Sequence, residues 1–109
     1  MALTDEQVAT AADLLAKTFQ ARTTIDALPE GCGPANAAEA VQVQIGMLER
    51  LGLEAAGYKA GFTNPPMLEK AGLDGPMFGV MFRDFTIASG GSRKRSDGGP
   101  GALIEAEIS

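Results

Sequence analysis

Apolar positions recur along this chain with two different periods, and the change of period separates its elements. Val8, Ala11, Ala12, Leu15 and Phe19 follow the three-and-four spacing of one helical face. The residues before them, Thr4-Asp5-Glu6-Gln7, read as a capping box with Thr4 as N-cap and Gln7 reaching back. Together they predict an amphipathic helix to about Arg22. A loop follows through Leu28-Pro29 and Gly31-Cys32-Gly33-Pro34. Asn36 and Glu39 repeat the cap pattern, Val41, Ile45 and Leu48 mark one face of a second helix, and Gly52 ends it.

The period then drops to two. In "GYKAGFT", Tyr58, Ala60 and Phe62 share one strand face, and Tyr58 and Phe62 are read as core. Gly57, Lys59, Gly61 and Thr63 take the other face, where the glycines leave room around the lysine ammonium. Asn64-Pro65 opens a short helix that Gly72 closes. Alternation returns from Pro76 to Phe82, with Phe78, Val80 and Phe82 on one side. The stretch "SGGSRKRSDGGPG" is glycine-rich and basic and predicts a flexible loop or lid near residues 89–101, between two strands. The last six residues, "IEAEIS", alternate as a half-buried strand does. Ile104, Ala106 and Ile108 fall on one face, and Glu105 and Glu107 on the other.

This order of elements predicts an α+β fold, N-terminal helices followed by short β-strands. With 109 residues, the chain is one small domain or part of a larger one. A net charge of −5 argues against nucleic acid or an anionic membrane surface as partner. No apolar run approaches the roughly 20 residues of a spanning helix. The acidic start lacks the pattern of an export signal, and the single Cys32 fits a reducing compartment, so a cytoplasmic protein is expected. Cys32 itself reads as an incidental thiol. The chain has no histidine, which leaves carboxylates, lysine, hydroxyls and the backbone to carry any chemistry of its own.

Four segments resemble the 2-keto-4-pentenoate hydratases, which belong with the 4-oxalocrotonate decarboxylases in the fumarylacetoacetate hydrolase-like superfamily. "EAVQVQ" (residues 39–44) is similar to the family's Glu-Ala-Tyr-x-Val-Gln helix, and "GYKAGFTN" (57–64) to its Gly-Trp/Tyr-Lys-Ile-Gly-Leu-Thr strand. "LDGPMFGVMFRD" (73–84) resembles the Pro-x-Phe-Gly-x-Leu segment, and "IEAEIS" the Val-Glu-x-Glu-Ile-Ala strand. They occur in family order from about Pro29 onward. The resemblance implies that residues 1–109 are the N-terminal portion of such a fold, an incomplete part with the β-rich catalytic portion downstream. It implies Mg²⁺ or Mn²⁺ as cofactor, with Glu105 and Glu107 as two metal ligands and a third acidic ligand outside this sequence. It also implies a 2-oxo acid substrate whose carboxylate and 2-oxo group are chelated, then hydrated or decarboxylated. A homo-oligomer, or a partner chain that supplies the missing catalytic part, is the expected assembly.

Each of these readings has a plainer rival. A lone Glu-x-Glu is most often an exposed acidic strand face, and the metal reading rests on the three other motifs in register. Lys59 is read as the catalytic proton carrier or carboxylate-steering group, against an edge-strand lysine that guards against aggregation. Gln44 is read as a cap on a buried backbone group. Arg93, Lys94 and Arg95 could meet an anionic substrate, but a solvated loop is the expected role. Hydratase, decarboxylase, non-catalytic partner subunit and inactive truncated product all stay open at this point.

Overall fold

The computed structural model describes residues 2–99 and 101–108. Helix α1 (Asp5–Ala21) packs on α2 (Ala37–Leu51), and strand β1 (Ala55–Gly61) leads through α3 (Pro65–Ala71) to strand β2 (Met77–Phe82). The two strands pair antiparallel, so the described residues form an α+β architecture of a helical pair and a two-stranded ribbon.

Local chemistry sets the helix ends. The Thr4 N–H donates to Gln7 Oε1 at 2.9 Å while the Gln7 N–H donates to Thr4 Oγ1 at 3.1 Å, which closes the capping box of α1. Asn36 Oδ1 accepts from the Glu39 N–H at 2.9 Å, and Glu39 Oε2 accepts from the Ala35 N–H at 3.1 Å. Glu39 is thereby buried with its carboxylate bonded, at the start of α2. Gly52 ends that helix at φ 66°, a left-handed position that suits glycine.

The core between α1 and α2 is made of small side chains. Ala11 and Ala12 are fully buried and Ala16 nearly so. Cys32, carried on the loop between the helices, is buried with Ala11 and Val43, against Leu3, Val8, Leu15 and Leu28. The thiol is a core hydrophobe. The buried face of α2 runs through Glu39, Val43 and Leu48, whereas Ile45, expected on that face, is 45% exposed. Asp13 links both helices, 2.8 Å from Lys17 Nζ and 3.9 Å from Arg50 Nε. The hydrogen bond from Lys17 holds its carboxyl below the ordinary aspartate value, against a smaller opposing effect of desolvation.

Three expectations about strands need correction. Residues 103–108 form no strand: Leu103, Ile104 and Ile108 are almost fully exposed, and no neighbouring strand pairs with them among the described residues. Alternation makes a strand only where another edge supplies hydrogen bonds, since a lone segment is equally well solvated by water. Ser109 lies outside the described residues. Tyr58 is 68% exposed and is not core. Phe62 leaves the strand altogether, turning at φ 55° with 39% of its surface exposed. The glycine-rich segment carries a 3₁₀ turn, Arg95–Gly98, tied to the end of α1 by Arg22 Nη1 donating to the Ser96 carbonyl at 2.8 Å. It lies between β2 and an irregular segment, and not between two strands.

No helix among the described residues is long and apolar enough to cross a membrane. The radius of gyration is 15.1 Å, against about 13 Å for a compact domain of this length. That excess agrees with the many half-exposed apolar side chains of the ribbon.

Gly46 sets how closely the helices approach. A Cβ there would lie 2.9 Å from the Ala12 Cβ, inside van der Waals contact. Overpacking of this kind costs about 1–3 kcal/mol, more than the gain of up to about 1 kcal/mol that alanine brings to a helix interior. Gly46→Ala is expected to lower the urea midpoint with an unchanged slope. A raised midpoint would mean that α1 and α2 do not touch here.

Candidate functional site

The ribbon carries Lys59 in the middle of β1, directly opposite Gly79 of β2. A Cβ added at Gly57, Gly61 or Gly79 would meet nothing within 4 Å, so the ammonium stem stands on an open glycine-floored face. Between Ala55 and Gly57 the register slips by one residue, and the bulge increases the local twist beside this face.

Lys59 Nζ donates to Glu107 Oε1 across 48 residues of sequence, and both side chains are about half exposed. Lysine and carboxylate, named by separate motifs, therefore meet. Glu105 is exposed and makes no ion pair among the described residues. No group of three or more acidic or cysteine side chains is gathered among the described residues. Glu105 and Glu107 are hard oxygen donors, and that donor type fits Mg²⁺ or Mn²⁺. The set is incomplete in number, because Mg²⁺ takes about six oxygens. A cation at Glu107 would also displace or share the oxygen that Lys59 now holds.

The ribbon is held against the helical pair from two sides. On β2, the Phe78 carbonyl accepts from Gln44 Nε2 at 2.9 Å, and the Val80 N–H donates to Gln44 Oε1 at 3.0 Å. These two groups lie on the strand edge away from β1, and the side-chain amide bonds them as a third strand would. Gln44, expected to cap a buried backbone group, instead bonds an exposed carbonyl and a half-buried N–H. At the other end Phe19, Phe82 and Phe85 form a triad, with Phe19 and Phe82 edge-on at 5.6 Å between centroids.

No protein-family model, curated protein or solved structure matches the chain.

An ion pair this exposed stabilises a fold by only about 0.2–1 kcal/mol, because water screens both charges. A double-mutant cycle with Lys59→Met and Glu107→Gln, read by chemical denaturation, is expected to give a coupling inside that range that shrinks in high salt. A coupling above about 2 kcal/mol would make the pair a structural clamp and remove the reason to read it as a site poised for ligand.

Proposed function

We propose that the chain is the N-terminal α+β portion of a metal-dependent 2-oxo acid lyase with a fumarylacetoacetate hydrolase-like fold, of the 2-keto-4-pentenoate hydratase type. The observation that carries this reading is the contact between Lys59 and Glu107. A proton-carrying ammonium and a hard oxygen ligand belong within reach of one substrate. Here they are joined although neither motif predicts the other.

In this reading Glu105 and Glu107 hold Mg²⁺ or Mn²⁺, together with donors from water and from a further acidic residue outside this sequence. The bound cation supplies Lewis acidity toward the carboxylate and 2-oxo groups of the substrate. With Glu107 given over to a cation, Lys59 would be free either to steer the substrate carboxylate or to move a proton at the reacting carbon. Hydration adds hydroxyl and proton across the conjugated double bond of a 2-hydroxy-dienoate. The fully exposed Ile108 supports an assembly in which more protein, a second copy or a partner chain, covers the end of this segment.

The test is made on the protein as the cell assembles it. Glu105→Gln and Glu107→Gln are expected to weaken Mn²⁺ binding, read by water proton relaxation, and to abolish turnover of 2-hydroxypenta-2,4-dienoate. Lys59→Met should leave Mn²⁺ affinity intact or raised and lower kcat by about 10²–10⁴-fold, the usual contribution of a positioned proton carrier. Near-normal turnover in Lys59→Met would reduce Lys59 to an edge-strand lysine. Unchanged Mn²⁺ binding in both glutamine variants would remove the metal assignment.

A further inference from the structure

The chain is acidic overall, with nine lysines and arginines against fourteen acids. Yet four of those nine, Arg22, Arg93, Lys94 and Arg95, line a single cleft of about 570 Å³. Asp97 is the one carboxylate in its lining. Of the five other cations, four are paired with carboxylates, and the fifth, Lys70, has no such pairing among the described residues. Lys17 and Arg50 meet Asp13, Lys59 meets Glu107, and Arg83 meets Glu54 at 3.0 Å. None of the four cleft cations is paired with a carboxylate among the described residues.

These cations are brought together by specific contacts. Arg22 caps the end of α1 and donates to the Ser96 carbonyl, which draws the basic turn onto the helix. Arg93 lies over the Phe85 ring, its guanidinium carbon 4.8 Å from the ring centroid, and donates to the Asp84 carbonyl at 3.3 Å. The wall between them is apolar, built from Phe19 and Phe85, with Leu103 83% and Ile104 97% exposed alongside. The volume lies within the range of small-molecule sites, and an apolar wall with a few convergent polar groups is their usual make-up. Guanidinium groups match the two oxygens of a carboxylate and also stack on flat rings.

We propose that this cleft binds a small aromatic carboxylate, its ring against the Phe19–Phe85 wall and its charge toward Arg22, Arg93, Lys94 and Arg95. The cleft contains neither Lys59 nor Glu107, and binding needs no metal. The site is independent of the lyase reading. The basic loop, expected to be only solvated, becomes a ligand-holding element once Arg22 anchors it.

The probe is 2-naphthoate, titrated into metal-free protein and followed by the amide resonances of Gly98, Gly99 and Ala102. Saturable shifts at these positions are expected, with 2-naphthol (ring without charge) and inorganic phosphate (charge without ring) each at least about tenfold weaker. Lys94→Gln removes a charge and no hydrogen bond found among the described residues, so folding should be spared. It should weaken binding about threefold, while Lys70→Gln, outside the cleft, leaves binding unchanged. Arg93→Gln should weaken it further. Absence of saturable shifts would overturn the site, and phosphate binding as tightly as 2-naphthoate would overturn its aromatic specificity. An equal effect of Lys94→Gln and Lys70→Gln would show a general charge effect and overturn the proposed contact. No turnover is read and no metal is added, so failure here leaves the lyase reading where it stood.

Discussion

Two hydrogen bonds from one side chain fix the ribbon to the helices. A two-stranded antiparallel ribbon has an unpaired edge on each side and is barely stable by itself in water. Gln44 removes half of that problem at one point, because its amide offers a donor and an acceptor at the spacing of the outward Phe78 carbonyl and Val80 N–H. No charged side chain could do the same, since a carboxylate lacks the donor and an ammonium lacks the acceptor. Lys59 sits one strand further in, opposite Gly79, so its position relative to α2 depends on this amide.

The remaining framework is economical in side-chain volume. Ala11, Ala12, Ala16 and Gly46 allow α1 and α2 to approach closely, and close approach substitutes for bulk in the interface. Large apolar residues are mostly spent elsewhere. Phe19, Phe82 and Phe85 join the end of α1 to the ribbon, and two of them, Phe19 and Phe85, also wall the basic cleft. Thus the packing that closes one end of the molecule also walls the basic cleft. Tyr58, Phe78 and Met81 remain about half exposed or more on the ribbon, which leaves apolar surface for further protein to cover.

Helix ends were legible because their causes are local. The Thr4–Gln7 box, Asn36 as N-cap and the left-handed Gly52 and Gly72 are all where the sequence puts them. What could not be read depends on tertiary neighbours. The alternation of Ile104, Ala106 and Ile108 is real, but no edge receives it among the described residues. Tyr58 alternates correctly and still faces solvent, because none of the described residues covers that side of the ribbon. Cys32, judged incidental from its glycine neighbours, is buried because the loop folds under both helices. The individual candidates Lys59, Glu105 and Glu107 came from motifs, but no spacing rule says that Lys59 and Glu107 meet. The anchoring of the basic loop by Arg22, 74 residues from Ser96, was equally hidden.

The most direct test of this account is the exchange rate of the Val80 amide proton, compared with the amide protons of Val43 and Leu48 inside α2. Val80 should be protected in the wild-type protein, as a ladder amide is. Gln44→Leu keeps an apolar stem and removes both hydrogen-bonding groups, and it should speed Val80 exchange by about tenfold, which corresponds to about 1.4 kcal/mol. The two helix amides should be unaffected. Fast Val80 exchange in the wild type, or no change in Gln44→Leu, would contradict the claim that this side chain holds the ribbon in place of a third strand.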